Sequence, residues 1–254
     1  NHQMQVFVIN LDHAKDRWQN IERQFIEKDF LPQRVSAIFG DDIKEKPVEG
    51  YLEDSYRRRH GKRTNLREVG CYRSHIKVLR QFLASNEPHA LVAEDDIQIK
   101  GDLKHVVNQA VMHEQQWDLL RLSGLHKGTP IGIVDLNGSY QLSVNLSRQT
   151  GSGAYLINRM AASKIVDQLA TMRLPYDHAF DREWCHGYRA LSVTPYPITQ
   201  NDRYPSQIYF EGKYGPMRYL TVFPYRAVNE TLRVVHRLGQ VARTRLTMHL
   251  PKAA

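Results

Sequence analysis

Three consecutive acids, Glu94-Asp95-Asp96, close the apolar run His89-Ala90-Leu91-Val92-Ala93. Adjacent carboxylates repel one another unless a cation or several donors sit among them. Hard oxygen ligands suit Mn²⁺ or Mg²⁺, which bridge one or two carboxylates to a ligand's phosphates. The competing reading is an acidic turn whose Asp95 or Asp96 caps a following helix. A second group, Glu68-Val69-Gly70-Cys71-Tyr72-Arg73-Ser74-His75, sets Cys71 and His75 one helical turn apart. Spacing alone favours a core cysteine and a hydrogen-bonded histidine there over a metal pair or a Cys-His nucleophile. A third group, Pro175-Tyr176-Asp177-His178-Ala179-Phe180-Asp181, puts two carboxylates on one helical face, and either could be a general base, with helix capping competing for Asp177. Asn10-Leu11-Asp12, with Arg17 further on, offers polar and cationic groups to a nucleotide. Neither of the two common glycine-rich phosphate cradles occurs, so phosphates here would be held by metal.

These groups need elements to position them. Gln5 to Asn10 reads as a buried strand, and Lys15 to Lys28 as a helix with Trp18, Ile21, Phe25 and Ile26 on one face. Arg34 to Ile38 reads as a second strand, closed by Gly40-Asp41-Asp42. Residues 41–65 read as a polar mobile loop, or as a lid whose basic run at 57–63 closes over an anion. Helices follow over Leu66 to Leu83 and from Gly101-Asp102 to Glu114; strands are expected at His89 to Glu94 and Trp117 to Ser123. Residues 129–157 hold short β-prone pieces; helices at Arg159 to Leu169 and Tyr176 to His186 precede a strand at Ala190 to Thr194. Alternating strands and helices predict a single α/β domain over 4–210, with a mostly parallel central sheet flanked by helices. The carboxyl ends of such strands are where ligands bind, which puts the three acids at the mouth of a site.

The chain has 254 residues, ample for a large core, and it excludes a disulfide-stapled miniprotein or a low-complexity tail. Its apolar runs stop at four residues, far short of the roughly 20 that span a bilayer. With Met4 taken as the natural start, two cysteines and no basic-then-apolar leader, a cytosolic setting is expected. The net charge of +8 is uneven: residues 200–254 carry nine Lys and Arg against three Asp and Glu, which leaves the body near neutrality. A basic tail over 211–254 is therefore expected, with an amphipathic helix from Val228 to Leu250. It would either pack on the domain or lie on the anionic inner face of a cytoplasmic membrane.

Read together, Val8-Ile9-Asn10-Leu11-Asp12 with Arg17, Gly40, Glu68-x-Gly70-Cys71-x-x-Ser74-His75 and Glu94-Asp95-Asp96 resemble glycosyltransferase family 25. This family holds bacterial lipooligosaccharide galactosyltransferases and is related to collagen galactosyltransferases. Trp117-Asp118-Leu119-Leu120-x-Leu122, Gly153-Ala154-Tyr155-Leu156-Ile157, Pro175-x-Asp177, Pro197-x-x-Gln200 and Ser206-x-Ile208 extend the likeness over about residues 5–210. The resemblance implies a GT-A-like fold, a UDP-sugar donor such as UDP-galactose, inversion at the sugar, and an oligosaccharide or glycolipid acceptor. It implies Mn²⁺ on Asp96 with Glu94 or Asp95, in the manner of a D-x-D motif. It places Asn10, Leu11, Asp12, Arg17, Gly40, Ser74, His75, Asp95 and Gln200 around the donor, with Asp177 as the base, Asp181 as runner-up and Cys71 structural. His13 stands where relatives often carry Arg.

Two other classes compete. A metal-dependent hydrolase also uses acids at strand ends. A nucleic-acid-binding protein would fit the basic tail, but the tail lacks interleaved aromatic residues and the body carries no binding module, so no nucleic acid is expected.

Overall fold

A computed structural model describes residues 4–204, 206 and 208–249. Residues 1–3, Leu250 and the residues after it lie outside that description, and with them the expected end of the tail helix. Eight strands form one sheet in the order β2-β1-β3-β8-β5-β9-β7-β6. They are β1 (Gln5–Asn10), β2 (Pro32–Ser36), β3 (His89–Glu94), β5 (Leu119–Arg121), β6 (Pro130–Asp135), β7 (Gln141–Asn145), β8 (Ala154–Asn158) and β9 (Ala190–Thr194). Strand β1 runs parallel to β2 and β3, and β5 parallel to β9; β7 and β8 run opposite to their neighbours. The fold is mixed α/β, with most strands in one direction, as expected. A small antiparallel pair, β4 (Ile97–Ile99) with β10 (Ile198–Gln200), directly follows the acid run.

Side chains alternate across the sheet, so each buried strand feeds two cores. Phe7, Val92, Tyr155 and Ile157 face helices α3 (Leu66–Ala84) and α5 (Arg159–Leu169). Val6, Val8, Leu91 and Leu156 face α1 (Lys15–Ile26) and α4 (Leu103–Met112). The buried face of α1 differs from the expected one. Ile21 and Phe25 are buried, Ile26 is exposed, and Arg17 and Gln24 take the remaining places. Gln24 earns burial by fastening β4: it accepts from the Ile99 N–H at 2.8 Å and donates to the Ile97 carbonyl at 3.3 Å.

Residues 41–65 are not a loop throughout. Helix α2 (Glu53–His60) absorbs Arg57, Arg58 and Arg59 and ends on Gly61 at φ +75°. The first part of the basic run is thus a helix end, where a mobile loop, or a lid, was expected.

Helix α3 docks on the turn after β2 through two glycines. A Cβ on Gly40 would sit 2.3 Å from the Arg67 Cα, and one on Gly70 would sit 2.5 Å from the Ile38 carbonyl oxygen. Both obstacles are backbone and cannot rotate away. Gly70→Ala is expected to force α3 off the sheet at about 1–3 kcal/mol, a fall in Tm of several degrees in a thermal melt. An unchanged Tm would mean that this approach is not fixed.

Helix α6 (Tyr176–Ala179) and α7 (Glu183–His186) are separate single turns in place of the one expected helix. The final helix, α8 (Tyr219–His249), begins nine residues before the expected Val228 and packs against β6, β7 and α7. Of the two expected arrangements, its leucine stripe does not supply the face packed on the domain. Arg233 and Arg237 are buried, while Leu220, Val228, Leu232, Val235, Leu238 and Leu246 are exposed. The inward arginines are therefore unavailable to an anionic membrane, and Arg243 and Arg245 are left on the outer surface. No described helix is long and apolar enough to cross a membrane.

Candidate functional site

The parallel strands β1 and β3 end side by side, Ile9 opposite Glu94, and this brings Asn10, Leu11 and the acid run to one rim of the sheet. A cleft opens there in two lobes, of about 630 and 1260 Å³ with their mouths included. The first lobe is walled by Leu11, Arg17, Phe39, Gly40 and Arg67. The second is walled by Glu68, Gly151, Ser152, Tyr176, Asp177 and Gln200. Cys71, Glu94, Asp96, Ser206 and Ile208 border both lobes, and the two acids are the charged part of the divide.

The three acids have three different surroundings. Asp95 is turned back onto β1, where it accepts from Asn10 Nδ2 at 2.7 Å and pairs with Arg17 at 3.4 Å. Burial nevertheless holds its carboxyl above the usual range. Both oxygens are engaged, so Asp95 braces the two strand ends and is a poor cation ligand. Glu94 accepts from Ser152 Oγ at 2.6 Å and meets His75 Nε2 at 3.2 Å through the same oxygen. Burial works against its charge, but the His75 and Ser152 contacts together outweigh it and lower the carboxyl.

Asp96 accepts from Gln200 Nε2 at 2.8 Å on Oδ2, while its Oδ1 is buried without a partner. Burial, together with the charges of Glu94 and Asp95, pushes Asp96 up to about 7. A buried, orphaned carboxylate oxygen beside a second carboxylate is what a hard divalent cation would satisfy, so the residues fit such an ion. The β4–β10 pairing sets this geometry, with Gln200 opposite Ile97 and the Asn201 N–H bonded to the Asp96 carbonyl at 2.7 Å.

Several expected donor contacts lie elsewhere. Asn10 is buried beneath the rim and spends its amide on Asp95 and the Ala14 carbonyl, at 2.7 and 3.0 Å. Asp12 pairs with Arg34 at 2.6 Å and accepts from Ser36 at 2.8 Å, outside the residues that wall either lobe. Ser74 borders the first lobe, but its hydroxyl donates to the Gly70 carbonyl at 2.7 Å and accepts from the Ile38 N–H at 2.8 Å. His75 is fully buried under the cleft floor, stacked 4.2 Å from Tyr176, with Nδ1 on the Tyr155 hydroxyl at 3.0 Å. It positions Glu94 and does not face a ligand. Leu11, Arg17 and Gly40 do wall the first lobe, and Gln200 walls the second.

The two candidate bases separate completely. Asp177 walls the second lobe, where its Oδ2 accepts from the Gly151 N–H at 2.8 Å and its Oδ1 from the His178 N–H at 3.0 Å. The break between α6 and α7 turns Asp181 inward, where it is 2 % exposed and paired with Arg121, Arg233 and Arg237 at 3.3, 3.4 and 2.9 Å. Burial would raise its carboxyl, but the three cations win and hold it below the usual range. Held charged, deep and walled off, Asp181 cannot take a proton from a ligand in the cleft.

Three residues take places at the cleft that the sequence reading did not give them. Cys71, expected to be structural, borders both lobes; its Sγ lies with ligand atoms of His75 and Glu94 within 4.8 Å of one another. Burial pushes its thiol up, which keeps it neutral and a weak partner for a hard ion. Glu68 faces Asp177's lobe, hydrogen-bonded by Tyr56, and burial raises its carboxyl. Its place three residues after the N-cap Asn65 reads in sequence as a helix-start device. Arg121 donates to the carbonyls of Gly151 at 2.7 Å and Asp177 at 3.2 Å, locking together the loop and the turn that present Asp177.

The acid-divided, two-lobed cleft lies at the carboxyl ends of strands in a mixed α/β sheet, where such folds bind ligands. Residues 3–180 match Glycosyltransferase family 25 (LPS biosynthesis protein), and the chain belongs to that family. It is 28% identical over 131 residues to procollagen galactosyltransferase 1-B of Xenopus laevis, covering 46% of this chain and 21% of that protein. A glycosyltransferase 25 family member of Aedes aegypti is 28% identical over 126 residues, covering 45% and 20%. The chain thus spans about a fifth of these relatives. Among solved structures, the inositol-1-phosphate CTP transferase from T. maritima matches at 10% identity and a TM-score of 0.38, over 90% of this chain and 77% of that one.

Proposed function

We propose that this chain is an inverting glycosyltransferase that moves a hexose, galactose from UDP-galactose in the first instance, to a hydroxyl of a saccharide acceptor such as a lipooligosaccharide. The observation that carries the reading is the division of one cleft by Glu94 and Asp96, with an orphaned Asp96 oxygen on the divide and Asp177 on one side only. The first lobe, walled by Arg17, Arg67 and the Gly40 turn, suits a nucleotide diphosphate. The second, with Asp177, suits an acceptor.

A divalent cation held by Asp96 and Glu94, Mn²⁺ or Mg²⁺, would neutralise charge on the departing diphosphate. Asp177 accepts the proton of the acceptor hydroxyl as that oxygen bonds to the anomeric carbon. The bond from that carbon to the UDP oxygen breaks, and UDP leaves with the electron pair. No covalent sugar–protein bond forms, so inversion follows from a single base. Two backbone N–H bonds fix the Asp177 carboxylate toward the lobe.

A donor screen tests the reading: release of UDP from UDP-galactose, UDP-glucose and N-acetylated UDP-sugars, with Mn²⁺ and a panel of acceptor saccharides. One donor should stand out, and Asp96→Asn should need at least tenfold more Mn²⁺ for half-maximal rate. Full activity in excess chelator would remove the cation from the reading.

A further inference from the structure

A second concave site lies apart from the cleft, between α2, the α6–α7 turn and α8, and shares no wall residue with either lobe. Five arginines converge on it: Arg59, Arg148, Arg182, Arg226 and Arg233. Opposing them at ion-pair distance are Glu230, 2.5 Å from Arg233, and Asp181, which Arg233 shares with Arg121 and Arg237. Among the described residues no carboxylate pairs with Arg59, Arg148, Arg182 or Arg226. Arg59 and Arg182 instead lie over the Tyr225 ring at 5.5 and 5.6 Å, and Arg182 donates to Asn229 at 2.7 Å.

Unsatisfied donors and acceptors accompany the charge. His60, 5 % exposed, borders the site with its Nε2 buried and unpartnered. Arg233, 2 % exposed, has an unpartnered Nε, and the buried Tyr225 hydroxyl has no partner. Burial and the neighbouring cations push His60 down to about 2, so the imidazole stays neutral. Burial, with Arg148 and Arg218 nearby, likewise lowers Arg226. Five converging arginines against two carboxylates, beside orphaned polar atoms, are costly unless an anion sits among them.

We infer that this pocket is an anion site for a phosphate group, which would tie α8 to α2 and to the turn carrying His178. Guanidinium forks match phosphate oxygens in pairs, so a phosphate seated at the mouth of this pocket can be met by more than one of its arginines. The inference does not rest on the transfer chemistry.

The test is thermal denaturation of the full chain at constant ionic strength, with inorganic phosphate replacing chloride. Wild-type Tm should rise by about 5 °C at saturating phosphate. The double variant Arg148→Gln/Arg226→Gln should be at least as stable as wild type without phosphate, since it relieves repulsion, and should lose most of the rise. Sedimentation with phosphatidic acid vesicles separates the sources of the group. Pelleting of wild type but not of the variant assigns it to a lipid headgroup; a phosphate-dependent rise without pelleting assigns it to a soluble phosphate. An equal rise in both proteins, or none in wild type, overturns the inference.

Discussion

Asp177→Asn is expected to cut kcat for sugar transfer by about 10² to 10⁴-fold, the range for removal of a positioned general base. The amide keeps an oxygen for the Gly151 N–H and gives up only the acceptor toward the adjacent His178 N–H, so the turn should be retained at a small cost in melting temperature. Donor KM should change little, because Asp177 borders the lobe opposite the Arg17–Gly40 wall. This split between kcat and KM separates a proton acceptor from a residue that merely shapes the site. Near-normal turnover would move the role to Glu68, which walls the same lobe and whose carboxyl burial raises.

Asp181→Ala should produce the largest stability loss. The carboxylate compensates Arg121, Arg233 and Arg237, each nearly inaccessible, and its removal leaves buried positive charge unopposed. Breaking a buried ion network in this way costs about 3–5 kcal/mol, a fall in Tm of roughly 10 °C for a chain of this size. Glu183, which holds Arg237 at 2.8 Å, offsets only part of it. The pH dependence has a definite sign. The folded-state pKa of Asp181 is lowered, so its contribution is complete above the unfolded value near 4 and is lost as pH falls through the lower folded value. Asp181→Asn should therefore flatten the acid side of the stability curve. A loss below 1 kcal/mol would mean that water reaches the arginines and screens them.

These two residues also show what local sequence could and could not carry. Elements with a clear period or cap were legible to the residue: Gln5–Asn10, His89–Glu94, Arg159–Leu169 and Ala190–Thr194 stand where apolar pattern and turn residues put them. The acid run at the end of a buried strand was equally legible as the centre of a site. The distinct duties of its members were not, because they are set by Asn10 and Arg17, about 80 positions away, and by Gln200, 104 positions away. Four-residue spacing put Asp177 and Asp181 on one face, but the chain breaks between α6 and α7, and that break sends one carboxylate to the cleft and the other to the core. The last helix shows a further limit. Its period allowed either packing on the domain or lying on a membrane, and Asp181 and Glu183 draw Arg233 and Arg237 inward and leave the leucines outside. Ion pairing across more than 50 residues outweighed the apolar pattern, and no window along the sequence contains both partners.

The central claim is that one cleft joins a sugar donor to an acceptor across the Glu94–Asp96 divide. Product stoichiometry tests it most directly: the full chain with UDP-galactose, Mn²⁺ and an acceptor saccharide, with UDP, free galactose and new glycoside quantified together. One UDP per new β-glycoside, little free galactose, and loss of both products in Asp177→Asn are expected. UDP and free galactose formed at the same rate whether or not an acceptor is present would contradict it and identify a hydrolase.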